Sequence, residues 1–218
     1  FFTNVSHDFR TPLTLIADPI NQLLADKSLG EHPHQLLELM KKNANILLRL
    51  VNQILDFRKV ENGRMELHLE PFDLLSSFRG WNDSFRMALL KKHISFSFEV
   101  TPDTDFRMMA DSEKMERIYF NLLSNAVKYT PSGGVVDLKI TEYPSYLRLD
   151  VSDNGIGIPE EEQAKIFGRF YRGKQSAGVD GVGIGLYLTR DIVNKQNGYI
   201  KVASDEKGTI FSLFLKKV

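Results

Sequence analysis

The chain has 218 residues, with 28 Lys and Arg balanced by 28 Asp and Glu, 42% hydrophobic residues and no Cys. That length allows one or two domains, and the apolar share is enough for a real core, which sets wholesale disorder aside. The zero net charge argues against a strongly basic nucleic-acid binder, and the lack of Cys excludes disulfides, a thiolate zinc site and a cysteine nucleophile. The composition fits a reducing compartment. No apolar run approaches the ~20 residues needed to cross a bilayer, and the opening residues do not read as a signal peptide. The chain opens on Phe1-Phe2 without Met and reads as an excised fragment, with a membrane anchor or sensor expected upstream.

From residue 1 to about 61 the apolar residues recur at helical spacing. Val5, Phe9, Leu13, Ile16, Ile20 and Leu23 form one stripe, and Leu37, Met40, Ala44, Leu47, Val51 and Ile54 form a second. Both step by threes and fours, as a heptad seam does. Ser28-Leu29-Gly30-Glu31-His32-Pro33 between them has turn chemistry. The pattern predicts a helical hairpin. Two helices cannot bury two such stripes, so a second copy is expected to complete a dimeric four-helix bundle; the alternative is that the stripes pack on the rest of the chain.

Glu61-Asn62-Gly63 ends the second helix, and the chain then changes period. Met65–Phe72 predicts a strand, and Asp73 can cap a helix running to about Lys92. Ile94–Val100 alternates as a strand does. Phe106–Ala110 reads as a short strand, followed by a helix capped at Asp111 or Ser112 and ending near Tyr129. Val135–Thr141 and Tyr146–Ser152 form a hairpin pair. A Gly-rich stretch to Gly185 precedes a helix to about Asn197, and Tyr199–Ala203 and Thr209–Leu215 close as strands. The order predicts an α+β fold: a helical hairpin over 1–63, then an α/β sandwich over 64–218.

Five segments carry candidate chemistry. In Ser6-His7-Asp8-Phe9-Arg10-Thr11-Pro12-Leu13, His7 lies off the apolar seam, and an exposed neutral imidazole is a nucleophile near pH 7. Asp8 can orient the ring or take its proton, and Thr11 stands one turn along on the same face. Taken alone, a surface His beside an Asp is ordinary. In the segment 121–130, Asn121, Asn125 and Lys128 share one helical face. Two carboxamides and an ammonium can hold a Mg²⁺–phosphate group, although from this segment alone a solvated polar face is the favoured reading. Asp153-Asn154-Gly155-Ile156-Gly157 follows a strand, where the carboxylate can accept from an exocyclic amine such as that of adenine, and Gly155 and Gly157 allow close backbone approach. Gly181-Val182-Gly183-Ile184-Gly185-Leu186 leads into a helix, and N–H groups in such a turn suit phosphate. It matches neither a dinucleotide fingerprint nor a Walker loop. Between the last two, Phe167-Gly168-Arg169-Phe170-Tyr171-Arg172-Gly173-Lys174 suggests a mobile lid whose aromatics pack over a ligand and whose cations meet its phosphates; plain core aromatics are the other reading.

Together and in this order, the segments resemble the catalytic core of bacterial sensor histidine kinases over essentially the whole chain. His7–Leu13 resembles the H box, Asn121–Thr130 the N box, Asp153–Gly157 the G1 box, Phe167–Phe170 the F box and Gly181–Leu186 the G2 box. Gly208-Thr209-Ile210-Phe211 is similar to the Gly-Thr element near the C-terminus. The resemblance implies a dimerisation and phosphotransfer hairpin and a Bergerat-type ATP-binding sandwich. It implies ATP and Mg²⁺ as cofactors, His7 as phosphoryl acceptor, Asp8 as its acid/base partner, and Asn125 as the Mg²⁺ ligand with Asn121 nearby. Lys128, Tyr129, Asp153, Arg172, Lys174, the glycines of both turns, Leu186 and Thr209 are expected at the nucleotide. The implied partners are a second copy of the chain and the receiver domain of a response regulator, toward which Asp8 and Thr11 would support a phosphatase step. No nucleic acid is implied, and the chain is expected on the cytoplasmic side of an inner-membrane sensor. Two positions depart from the usual pattern: Asp8-Phe9 stands where Glu-Leu is usual, and Ile184 where Leu is commoner. A related ATPase would carry a Glu base at position 121, whereas Asn121 cannot take a proton at neutral pH. A non-catalytic ATP-binding dimerisation scaffold is the remaining alternative.

Overall fold

The computed structural model describes residues 16, 18–21, 23–24, 30–102, 105–173 and 183–217. The chain divides into two units, Phe1–Met65 and Glu66–Val218.

In the first unit, residues 16, 18–21 and 23–24 are helical, and helix α1 runs Glu31–Glu61. The turn chemistry over residues 28–33 predicts a loop, yet Glu31, His32 and Pro33 form the first turn of α1. Pro is tolerated there because first-turn N–H groups have no helical partner. The helix stops as its sequence requires. Asn62 is the C-cap, Gly63 takes a left-handed φ of 64°, and the N–H groups of Gly63 and Arg64 return to the carbonyls of Val60 and Lys59 at 3.0 and 2.8 Å. That is a Schellman ending, which favours glycine at this position. Along α1, Ala44 is buried while Met40, Leu47 and Ile54, seven residues apart, are 53, 49 and 45% exposed.

The second unit begins with strand β1 (Glu70–Asp73), helix α2 (Leu74–Asn82), a 3₁₀ turn over Asp83–Phe85 and helix α3 (Arg86–Lys91). Asp73 caps α2 by accepting from the Ser76 N–H at 2.9 Å. The single helix expected to Lys92 is therefore broken at Asp83–Phe85. Strands β2 (Ser95–Val100) and β3 (Arg107–Ala110) precede the long helix α4 (Ser112–Tyr129). Hairpin β4 (Val135–Glu142) and β5 (Tyr146–Asp153) follows, then the short helix α5 (Glu160–Gln163), helix α6 (Gly185–Lys195), and strands β6 (Tyr199–Asp205) and β7 (Gly208–Lys216).

The main sheet has the order β2-β4-β5-β7-β6. β2 runs parallel to β4 and the other neighbours are antiparallel. β1 and β3 form a separate antiparallel pair. Alternation decides the faces: Leu147, Leu149 and Val151 of β5 are buried, while Arg148 and Asp150 point the other way and pair at 2.8 Å. α4 contributes Met115, Ile118, Leu122 and Leu123 to the core and α6 contributes Leu188, Ile192 and Val193; each such side chain stabilises the fold by about 1.5–3 kcal/mol. The result is an α/β sandwich of mixed sheet and helices, as the period changes in the sequence predict.

Candidate functional site

Helix α4 carries Asn121, Asn125 and Lys128 on one half-buried face, opposite buried Leu122, Leu123, Ala126 and Val127. Both of its ends are pinned by polar groups. At the start, Asp111 accepts from Lys114 N–H and from His68 N–H, each at 3.0 Å, while its own N–H donates to Gln196 Oε1 at 3.2 Å. At the end, Lys92 Nζ donates to the carbonyls of Val127, Lys128 and Thr130 at 2.9, 3.0 and 2.8 Å. An ammonium there satisfies carbonyls that the helix cannot and meets the negative end of its dipole. Tyr129 follows on the last turn. Burial pushes its hydroxyl up, an effect that the positive charge of Arg172 opposes. The Lys128 ammonium lies 5.5 Å from the Tyr129 ring centre.

Asp153 ends β5 and stands opposite Thr209 of β7. The backbone N–H groups of Gly155 and Thr209 both donate to its carboxyl, the first at 2.9 Å, but burial dominates and raises its pKa to about 6. Gly155 lies against the end of α4, where an added Cβ would sit 2.6 Å from the Tyr129 carbonyl oxygen. Gly157 has a φ of 68° and packs on the Asp205 carbonyl, so both steric space and backbone conformation demand glycine. Behind this turn, Ser204 Oγ accepts from Ile158 N–H and bonds the Gly208 carbonyl and Thr209 Oγ1, all at 2.8 Å. Gln163 Nε2 ties the Ile158 and Ser204 carbonyls together at 3.0 and 2.7 Å.

Gly183 and Gly185 bring the start of α6 onto these elements. Gly183 has a φ of 77°, and a Cβ there would meet the Tyr171 carbonyl oxygen at 2.6 Å and Arg172 Cγ at 3.1 Å. A methyl on Gly185 would overlap the carboxamide oxygen of Asn121. Asn121 Nδ2 donates in turn to Thr189 Oγ1, one turn into α6, at 2.9 Å. Leu186 is half-buried in the first turn. The aromatics of the segment 167–170 divide between the two readings open in the sequence. Phe167 is buried and meets Phe211 edge-on with ring centres 6.3 Å apart, whereas Phe170 is exposed with a left-handed φ of 57°.

The structure thus gathers Asn121, Tyr129, Asp153, Gly155, Arg172, Gly183, Gly185 and Thr209 through direct or adjoining contacts, with Asn125, Lys128, Gly157 and Leu186 on the same elements. His7, Asp8, Thr11, Lys174 and Gly181 lie outside the described residues. Lys92, Gln163, Thr189 and Ser204 join the site without a sequence signal. Each is a common polar residue whose partners lie 35 to 68 positions away for Lys92 and Thr189, and four to 46 for the links around Ser204 and Gln163.

A sandwich with a glycine turn feeding a helix, set beside a paired-Asn helix and a strand-end Asp, defines a nucleotide-binding unit of the ATPase type. Residues 110–218 match the family described as histidine kinase-, DNA gyrase B- and HSP90-like ATPase, and residues 1–63 match the His kinase A (phospho-acceptor) domain. The chain belongs to the sensor histidine kinase family and carries the two domains of its catalytic core. It is 37% identical to histidine kinase P4 of Formosa agariphila over 99% of its own length and 16% of that protein's. It is 32% identical to the aerobic respiration control sensor ArcB of Escherichia coli over 98% of its length and 28% of ArcB. The chain therefore spans less than a third of these relatives. Among solved structures, full-length ShkA in complex with AMPPNP superposes with a TM-score of 0.81 at 26% identity, covering 98% of this chain and 45% of ShkA.

Proposed function

We propose that the chain phosphorylates itself on His7 with ATP and passes the phosphoryl group to an Asp of a response-regulator receiver domain. The observation that carries this reading is the contact of Asn121 with Gly185. The position where a hydrolytic relative needs a base holds a carboxamide, committed to Thr189, so water at that point has no group to take its proton. Transfer to a protein acceptor fits such a site better than hydrolysis or nucleotide sensing alone.

In this reading adenine lies at Asp153, whose carboxylate accepts from the exocyclic amine, with Gly155 and Gly157 leaving room for the ring. The phosphates extend toward the Gly183–Gly185 turn, where α6 begins and its N–H groups face anions. Lys128 and Arg172, with Lys174, add positive charge to the phosphate end, and Gly181 would belong to the glycine turn that receives the phosphates. Asn125 offers one hard oxygen, and no group of three or more acidic or His residues among those described could hold a metal by itself. That donor set fits Mg²⁺, which keeps waters and shares phosphate oxygens with few protein ligands. Bound there, Mg²⁺ would neutralise charge on the phosphates. The imidazole of His7 supplies the electron pair for a new N–P bond, the bond from the γ-phosphorus to the bridging oxygen breaks, ADP leaves, and Asp8 takes the ring proton. Positioning and charge neutralisation carry the rate in such transfers. The segment Glu61–Met65 is the proposed hinge between nucleotide and acceptor. Thr11 and Asp8 would orient water for dephosphorylating the receiver. A solved relative, ThkA, is in complex with the response regulator TrrA; it matches 99% of this chain at 25% identity with a TM-score of 0.67. The Met40, Leu47 and Ile54 stripe supports a homodimer, and attachment to a membrane through upstream segments belongs to the same reading.

The test is incubation with γ-labelled ATP and Mg²⁺. Wild type is expected to take up acid-labile, base-stable label, and His7→Ala and Asn125→Ala to take up none. Label persisting on His7→Ala would assign the acceptor elsewhere, and bound ATP without label on wild type would favour the scaffold.

A further inference from the structure

Asn121 and Thr189 meet across the seam between α4 and α6, which pack together. The Asn121 amide donates to the Thr189 hydroxyl at 2.9 Å. Thr189 is buried among the apolar positions Leu188, Ile192 and Val193 of its helix. The other end of the carboxamide lies against Gly185, which has no room for a side chain because of it. Two polar links cross this seam. Gln196 at the end of α6 meets the Asp111 N–H and Met115 Sδ at the start of α4. Asn121–Thr189 is the link nearest the glycine turn, where it fixes the local register, since apolar contacts alone tolerate sliding whereas an unmade hydrogen bond there is costly. α4 carries Asn125 and Lys128 one and two turns beyond Asn121, and α6 begins with the Gly183–Gly185 turn four residues before Thr189.

We propose that Thr189 is a positioning residue for the nucleotide: its hydroxyl holds the Asn121 carboxamide, and through it sets the spacing between the Asn125–Lys128 face and the glycine turn that receives the phosphates. Thr189 acts only through Asn121. The inference rests on reading this face as the nucleotide site. Valine has nearly the shape of threonine without an acceptor, so Thr189→Val leaves the Asn121 amide unpaired in the seam. Serine keeps the hydroxyl.

The experiment titrates the full chain with a fluorescent ATP analogue in Mg²⁺, and measures the rate of self-phosphorylation against ATP concentration. Thr189→Val is expected to weaken nucleotide binding and raise the apparent KM about tenfold, the size of one lost hydrogen bond. The rate at saturating ATP should stay within about twofold, because the hydroxyl touches no reacting atom. Thr189→Ser should bind within about twofold of wild type. In an Asn121→Ala background, Thr189→Val should add nothing. Should Thr189→Val fail to fold, Thr189→Ala carries the same measurements. Wild-type affinity in the hydroxyl-free variant, or an equal loss in the Asn121→Ala background, overturns the proposal. So does a lowered melting temperature with KM unchanged. A wild-type chain that binds no nucleotide overturns the reading of the site, and this proposal with it.

Discussion

Asp153 is held between a burial that favours its neutral form and two N–H donors that favour its charge, and burial wins, leaving the carboxyl at about 6. Its proton is bound more tightly in the folded chain than in the unfolded one. The folded state therefore takes up that proton between about pH 4 and 6, and the stability this residue contributes declines as pH rises through that window. Nucleotide binding is expected to have the opposite slope, because the carboxylate accepts from an amine more strongly than the protonated carboxyl does. The affinity of wild type for the ATP analogue is expected to fall as pH drops through 6, by up to about tenfold per unit. Asp153→Asn should bind weakly at every pH and lose that portion of the dependence, so subtracting its profile removes the part due to the nucleotide's own phosphates. Parallel profiles for the two proteins would count against Asp153 as the amine acceptor.

Helix α4 shows what a single element owes to distant residues. Its body is legible in the sequence: Asp111 as cap, and Met115, Ile118, Leu122 and Ala126 at helical spacing. Its fastening is not, because Lys92 reaches the last carbonyls from 35 to 38 positions away. Lys92→Met removes three charged hydrogen bonds while keeping the aliphatic stem. It is expected to lower the unfolding free energy by about 2 kcal/mol in denaturant titration, and to weaken nucleotide binding, since Lys128 and Tyr129 sit on the turn it holds. The same limit explains the strands. Met65–Phe72 is apolar enough to read as one long strand, but β1 is only four residues long, as is its partner β3. The break at Asp83–Phe85 escapes periodicity because the apolar spacing carries through it. α5 is a single turn after Pro159, too short for any period to register. The site glycines were the most legible feature, since Gly157 and Gly183 occupy left-handed backbone that few other residues accept.

At the scale of the molecule, the exposed heptad of α1 asks for a partner helix. Leu47 lies midway along it, and Leu47→Glu places one charge per copy in the middle of the proposed interface. Sedimentation is expected to find wild type as a dimer and the variant as a monomer, with association weakened at least about a hundredfold. A wild-type monomer at high concentration would show that the stripe serves another purpose. The single tryptophan of the chain gives this two-unit architecture its own reporter. Trp81 lies in the second unit, its ring 5.4 Å from those of Phe78 and Tyr119 and 6.0 Å from Phe72, so its emission follows the melting of that unit alone. Far-ultraviolet dichroism reports both units, the 31-residue α1 together with helices such as α4 and α6 of the second. Two optical signals from one unlabelled sample thus follow the second unit alone and both units together, and an interval between their midpoints would show that the halves melt independently.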